Sequence, residues 1–207
     1  VDQDYARSYI GLGSVYMNRA ADLVNSAYQS GRPVESQAIL WVEQAIQSYQ
    51  HVLDMNPAAE QYGNPVTQVA VMALGNAYRL SGDIAALQGD IPAAQTAFEK
   101  SVESLDAARS FFESEVDSDP SLQRYLVQTY EHLGKVHQLQ GYIFELELDY
   151  PAASTAYQQA LNFFLSCVEQ SASTADLIVQ DEIIGLYCQP FVEDTQTRIE
   201  TLSGGQG

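Results

Sequence analysis

Apolar residues recur at three- and four-residue steps along most of the chain, and no long stretch alternates in twos. Between positions 66 and 78 they fall at Val66, Val69, Ala70, Ala73, Leu74, Ala77 and Tyr78, one stripe along one side of a helix. Breaks in the pattern coincide with turn-forming residues: Ser30-Gly31-Arg32-Pro33, Asn56-Pro57, Gly63-Asn64-Pro65, Asp90-Ile91-Pro92, Asp117-Ser118-Asp119-Pro120 and Tyr150-Pro151. Proline is tolerated in the first helical turn, whose N–H groups have no partner in the helix. The pattern therefore predicts helices over 4–29, 34–55, 66–88, 91–116, 121–147, 150–170 and 174–188, and a short one over 191–202 after Pro190. Asp90 and Asp149 stand just before such turns and are predicted N-caps. Long helices joined by short connections fold back on one another as antiparallel pairs.

The chain also repeats itself. Ala73-Leu74-Gly75-Asn76-Ala77-Tyr78 aligns with His132-Leu133-Gly134-Lys135-Val136-His137, and Asp90-Ile91-Pro92-Ala93-Ala94-Gln95-Thr96-Ala97-Phe98 aligns with Asp149-Tyr150-Pro151-Ala152-Ala153-Ser154-Thr155-Ala156-Tyr157. The offset is the same in both segments (133 − 74 = 59 and 157 − 98 = 59). A constant offset implies copies of one supersecondary unit, each burying its apolar side on a neighbour.

These residues resemble the tetratricopeptide repeat, in which an aromatic, a Leu-Gly pair and a Tyr on one helix are followed by a small residue and an aromatic on the next. The first copy has Tyr9, Leu12, Gly13 and Tyr16, then Ala45, Tyr49 and Pro57. The second has Val71, Leu74, Gly75 and Tyr78, then Ala94 and Phe98. The third has Tyr130, Leu133, Gly134 and His137, then Ala153 and Tyr157; Ile184-Gly185 resembles a fragment of a fourth. The resemblance implies that Gly13, Gly75 and Gly134 admit the second helix closely, opposite Ala45, Ala94 and Ala153. It implies too that Tyr49, Phe98 and Tyr157 fill the space towards the next hairpin. Glycine inside a helix is unfavourable by about 1 kcal/mol relative to Ala, so its recurrence in one slot implies a steric reason. The family repeat is about 34 residues long. The surplus here falls in 82–88 and 141–148, and Tyr142-Ile143-Phe144-Glu145-Leu146-Glu147-Leu148 is apolar enough to be helix. Hairpins lengthened at their tips are expected.

The expected fold is all-α: an α-solenoid, a superhelical array of antiparallel helix hairpins with about seven to eight helices. It is expected as one domain over 1–203, with hairpins at 4–57, 66–118 and 121–170, capping helices over 174–202, and a flexible tail at 203–207. The chain starts at Val1 instead of Met, which points to a processed or excised module of a larger protein, such as an envelope or signalling protein. The compartment stays open.

Charge narrows the choice of partner. Nine Lys and Arg stand against 27 Asp and Glu, a net charge of −18. A field of that sign repels phosphate backbones and anionic lipid, which argues against nucleic acid. No run reaches the roughly 20 apolar residues that span a bilayer, so direct membrane insertion is not expected. Cys167 and Cys188 are expected as two buried free thiols: in a helical hairpin turning near 171–174, Cys188 would lie on the order of 16 Å from Cys167.

Candidate chemistry is sparse. His132 and His137 are five positions apart, which turns them to different faces of a helix. The acidic run Glu113, Glu115, Asp117 and Asp119 starts like a calcium loop but lacks its Gly and closing Glu. No phosphate loop or nucleophile elbow is present. No enzyme activity, cofactor or metal is expected. The resemblance implies instead a concave groove lined by the first helix of each hairpin, where Arg7, Asn18, Asn76, Arg79, Lys135 and Gln138 supply polar or basic groups. The expected function is a protein–protein interaction scaffold that binds a peptide segment or partner protein there. The alternative is a self-associating structural module, a homo-oligomer.

Overall fold

The computed structural model describes residues 3–55, 66–173 and 188–204. Among the described residues the fold is all-α, with no strand. The helices are α1 (Gln3–Ser30), α2 (Ser36–Asp54), α3 (Val66–Leu87), α4 (Ile91–Glu115), α5 (Gln123–Leu146), α6 (Tyr150–Ser173) and α7 (Gln189–Gly204), with a short 3-10 turn, Pro120–Leu122, before α5. The sequence-predicted ends fall close to these. The last helix extends through Gly204, so Ser203 and Gly204 are helical where a loose tail is expected. The predicted helix at 174–188, its capping role, and the Ile184-Gly185 fragment lie outside the described residues apart from Cys188.

Contacts group the chain into two compact units, Val1–Ala108 and Arg109–Gly207, where the sequence leads one to expect a single domain over 1–203. The boundary falls inside α4. In the first unit α2 packs on α1 and α3, around a core that includes Ala20, Val24, Ala38, Val42, Ala45 and Tyr49. In the second, α5 and α6 form a long pair with α7 laid against α6. Leu126, Leu133, Val136, Tyr157 and Phe164 are buried there.

The turns between paired helices explain the lengthened hairpins. At the end of α3, Asp90 N–H donates to Ala85 O (2.9 Å) and Gly89 N–H to Ala86 O (3.0 Å), with Gly89 at φ +79°. At the end of α5, Asp149 N–H donates to Phe144 O (2.9 Å) and Leu148 N–H to Glu145 O (3.0 Å), with Leu148 at φ 61°. Both are Schellman motifs, which satisfy the last carbonyls of a helix through one left-handed residue. The following aspartates then cap the next helix as predicted. Asp90 Oδ1 accepts from Ala93 N–H and Asp149 Oδ1 from Ala152 N–H, both at 3.1 Å. One turn has been built twice.

These turns set the register of the hairpins, and it differs from the one the family resemblance implies. A Cβ on Gly75 would lie 2.7 Å from Leu105 Cγ, and one on Gly134 2.4 Å from Phe164 Cε1. Each pair is equidistant from its capping aspartate (90 − 75 = 15 and 105 − 90 = 15; 149 − 134 = 15 and 164 − 149 = 15). Ala94 and Ala153 lie too near the turn to face Gly75 and Gly134. A second pair of notches lies nearer the turn: Gly82 meets Phe98 (2.4 Å) and Ala94 O (3.1 Å), and Gly141 meets Tyr157 (2.7 Å). Gly13 faces the Tyr49 ring at 2.5 Å, with Gly31 (φ +63°) at the turn. The aromatics Tyr49, Phe98 and Tyr157 thus fill notches within their own hairpin, and Tyr49 also belongs to the core cluster that holds Leu74, Ala77 and Leu80 of α3. No side chain fits at these glycines without displacing a ring or a branched carbon.

Cys167 and Cys188 are joined in a disulfide, with Cα atoms 6.3 Å apart, so the expectation of two free thiols is overturned. Cys188 sits at the head of α7 and is bonded to the second half of α6.

Candidate interaction face

The six polar residues expected on a groove fall into three situations. Arg7 and Asn18 are exposed on α1, about 16 Å apart along the helix at 1.5 Å per residue, too far to grip one group. Asn76 and Arg79 are half-buried on α3 and held together, Arg79 Nε donating to Asn76 Oδ1 (3.0 Å). Arg79 also acts on Asp83 one turn further on. Burial pushes the Asp83 carboxyl above the usual range, while a hydrogen bond from the Tyr28 hydroxyl and the Arg79 charge oppose that rise.

Lys135 and Gln138 occupy the positions of α5 equivalent to Asn76 and Arg79 (135 − 76 = 59; 138 − 79 = 59). They are engaged by α7. Gln138 Nε2 donates to Asp194 Oδ2 at 2.7 Å, and the Lys135 ammonium lies 5.1 Å from the centre of the Phe191 ring. On the neighbouring helix, Phe164 stacks on Phe191, with centroids 5.1 Å apart and planes 14° from parallel. Val192 packs with Ala160, Leu161 and Phe164. Further along, Arg198 pairs with Glu145 (3.5 Å) and lies over the Tyr157 ring. Burial and the hydrogen bond to Glu145 push the Tyr157 hydroxyl well above the ordinary tyrosine range. The α5–α6 face thus holds an amphipathic helix by an aromatic anchor, an amide–carboxylate bond and an ion pair.

Beneath Lys135 lies a buried carboxylate. Glu131 bonds Lys135 Nζ, and its Oε2 is 2.7 Å from His132 Nδ1. Burial alone would raise its pKa, but the His132 and Lys135 interactions outweigh that and hold it well below the ordinary glutamate value. His137 stacks on Phe163 with planes 8° from parallel, so the two histidines serve different contacts. Among the described residues no group of three or more His, Cys, Asp or Glu is placed to hold a metal ion. No helix among them is long and apolar enough to cross a membrane.

The residues that build this face without having been singled out in the sequence are Phe164, Glu145, Phe191, Asp194 and Arg198. Phe164 alone carried a signal, standing at the repeat offset from Leu105 (164 − 105 = 59). No family model, curated protein or solved structure matches this chain.

Proposed function

We propose that this chain is a tetratricopeptide-like protein-interaction module whose hairpin faces bind helical or extended segments of partner proteins, without a catalytic role of its own. The observation that carries this reading is α7 seated on the α5–α6 face. Its Phe191 anchor, Gln138–Asp194 bond and Arg198–Glu145 pair are what a bound amphipathic peptide would make. The equivalent pair in the first unit, Asn76 and Arg79, is preoriented by its own hydrogen bond, which lowers the ordering cost of binding. Net charge disfavours nucleic acid as the ligand.

The test is peptide display selected on the whole oxidised protein, with Asn76→Ala/Arg79→Ala and Lys135→Ala/Gln138→Ala double variants as counter-targets. Selected peptides should lose about tenfold or more in affinity for one of the two variants, as expected for interface hot spots. Peptides that bind both variants as well as the parent protein would remove the reading.

One observation favours self-association as a second reading. Tyr5, Leu12 and Val15 are exposed on α1, at spacings that put them on one side of the helix. Light scattering across a concentration series, with Leu12→Ser/Val15→Ser as the control, decides it: a dimer lost in the variant supports it, and a monomer throughout removes it.

A further inference from the structure

The two Schellman turns share a backbone but not a surface. At the left-handed position the α3–α4 tip has Gly89, and the α5–α6 tip has Leu148 at φ 61° with 70% of its surface exposed. Glycine suits this position without strain, whereas a leucine there is strained and gains nothing from the packing of its own fold. The substitutions around it run in the same direction. Tyr142 stands where α3 has Asp83, and Tyr150 where α4 has Ile91. Tyr142, Leu146, Leu148 and Tyr150 are all exposed around the turn, whereas of their counterparts Asp83 is buried and only Leu87 is an exposed apolar side chain.

The tip is also more acidic than its counterpart. Glu145 and Glu147 stand where the first tip has Ala86 and Gln88, and Asp149 lies between Leu148 and Tyr150. Arg198 reaches Glu145, and no Lys or Arg occurs in the sequence from 136 to 197. Apolar surface rimmed by one sign of charge selects partners of the opposite sign. A second copy of a chain with net charge −18 and an anionic lipid surface are both repelled.

We propose that the α5–α6 tip is a docking surface for a basic amphipathic helix of a partner protein, with Leu146, Leu148, Tyr142 and Tyr150 meeting its apolar face and Glu147 and Asp149 meeting its Lys or Arg flanks. This surface adjoins the face that carries α7 at Glu145 but uses none of Lys135, Gln138, Asn76 or Arg79, so its failure leaves the proposed function standing. Because the strained leucine serves the partner and not the fold, Leu148→Gly weakens docking while raising the melting temperature.

The experiment is amide chemical-shift mapping on the isotope-labelled oxidised protein. The probe is a synthetic amphipathic helical peptide with a Leu face and Lys flanks. Controls are the same peptide with Glu flanks and zwitterionic phosphatidylcholine vesicles. Shifts confined to about 142–152, absent at the sister tip 83–93, and an affinity about tenfold weaker in Leu148→Gly with a higher melting temperature, are the expected result. Equal shifts at both tips, no shift at either, or unchanged affinity in Leu148→Gly overturns the proposal. Tip shifts produced by the vesicles, by the Glu-flanked peptide, or by raising protein concentration alone also overturn it, by assigning the patch to lipid, to apolar contact without charge, or to a second copy.

Discussion

The α3–α4 and α5–α6 hairpins are two solutions to one packing problem. Both use a Schellman turn, a capping aspartate and two glycine notches at matching distances from it. They differ in what fills the same slots. Leu105 in the first becomes Phe164 in the second, Phe98 becomes Tyr157, and the buried Met72 becomes the buried, ion-paired Glu131. The second hairpin further carries α7, fastened by a disulfide. The turn, its capping aspartate and the glycine notches are kept, and the side chains that fill or flank the notches are changed. The repeat is therefore a backbone device, and what each hairpin presents to other elements resides in the changes.

The largest expected effect separates the two units. Cys167→Ser/Cys188→Ser releases a cross-link with a sequence separation of 21 residues, and a loop of about that size is worth about 3 kcal/mol. Hydrogen exchange should rise in α6 and α7 and stay unchanged in α1 and α2. Equal loss in both units would break the comparison.

Next come the notches. Gly82→Ala sets a Cβ 2.4 Å from the Phe98 ring and 3.1 Å from a backbone oxygen, and should destabilise by about 2 kcal/mol in urea unfolding. Gly11→Ala, with nothing within 4 Å of its Cβ, should instead stabilise by about 0.5–1 kcal/mol, since alanine is the better helix former. Similar signs at both sites would mean that the notches are not steric.

The helices were legible in the sequence because their ends carry local chemistry: Gly31, Asp90-Ile91-Pro92 and Asp149-Tyr150-Pro151 each act on their own turn. The repeat was legible for the same reason. The register was not. Leu-Gly and Ala-Ala each repeat faithfully, and only the turn geometry shows that they do not face one another. Gly82 and Gly141 read as part of a lengthened tip, although their recurrence at the same offset (141 − 82 = 59) was the available sign of a second notch. The disulfide and the α7 contacts depend on where the chain goes between separate helices, which no periodicity encodes. Of the six polar residues expected on a groove, the repeat offset relates Asn76 and Arg79 to Lys135 and Gln138, but α7 as the element that meets the latter pair had no local signal.

A smaller effect follows from Glu131. Its carboxyl titrates below the ordinary value near 4.5 when folded. It therefore contributes stability that is present above about pH 4.5 and lost as pH falls towards its folded pKa. The second unit should lose stability on acidification in this window, and Glu131→Met, which borrows Met72 from the other copy, should flatten that limb by lowering stability at neutral pH, because it takes the buried carboxylate away from His132 and Lys135. A pH profile of hydrogen exchange in α5 checks both. Smallest is the exchange of turn residues: Gly89→Leu should destabilise by about 1 kcal/mol, and Leu148→Gly should stabilise by a similar amount, by thermal unfolding.

The register itself is open to a direct test by double-mutant cycles on urea stability. The pairs are Gly82→Ala with Phe98→Leu, and Gly75→Ala with Ala94→Gly. Notches filled from within each hairpin predict coupling of about 1 kcal/mol for Gly82 and Phe98, because the smaller side chain makes room for the new Cβ, and none for Gly75 and Ala94. Coupling between Gly75 and Ala94, with Gly82 and Phe98 independent, would contradict the shared register on which both hairpins are built.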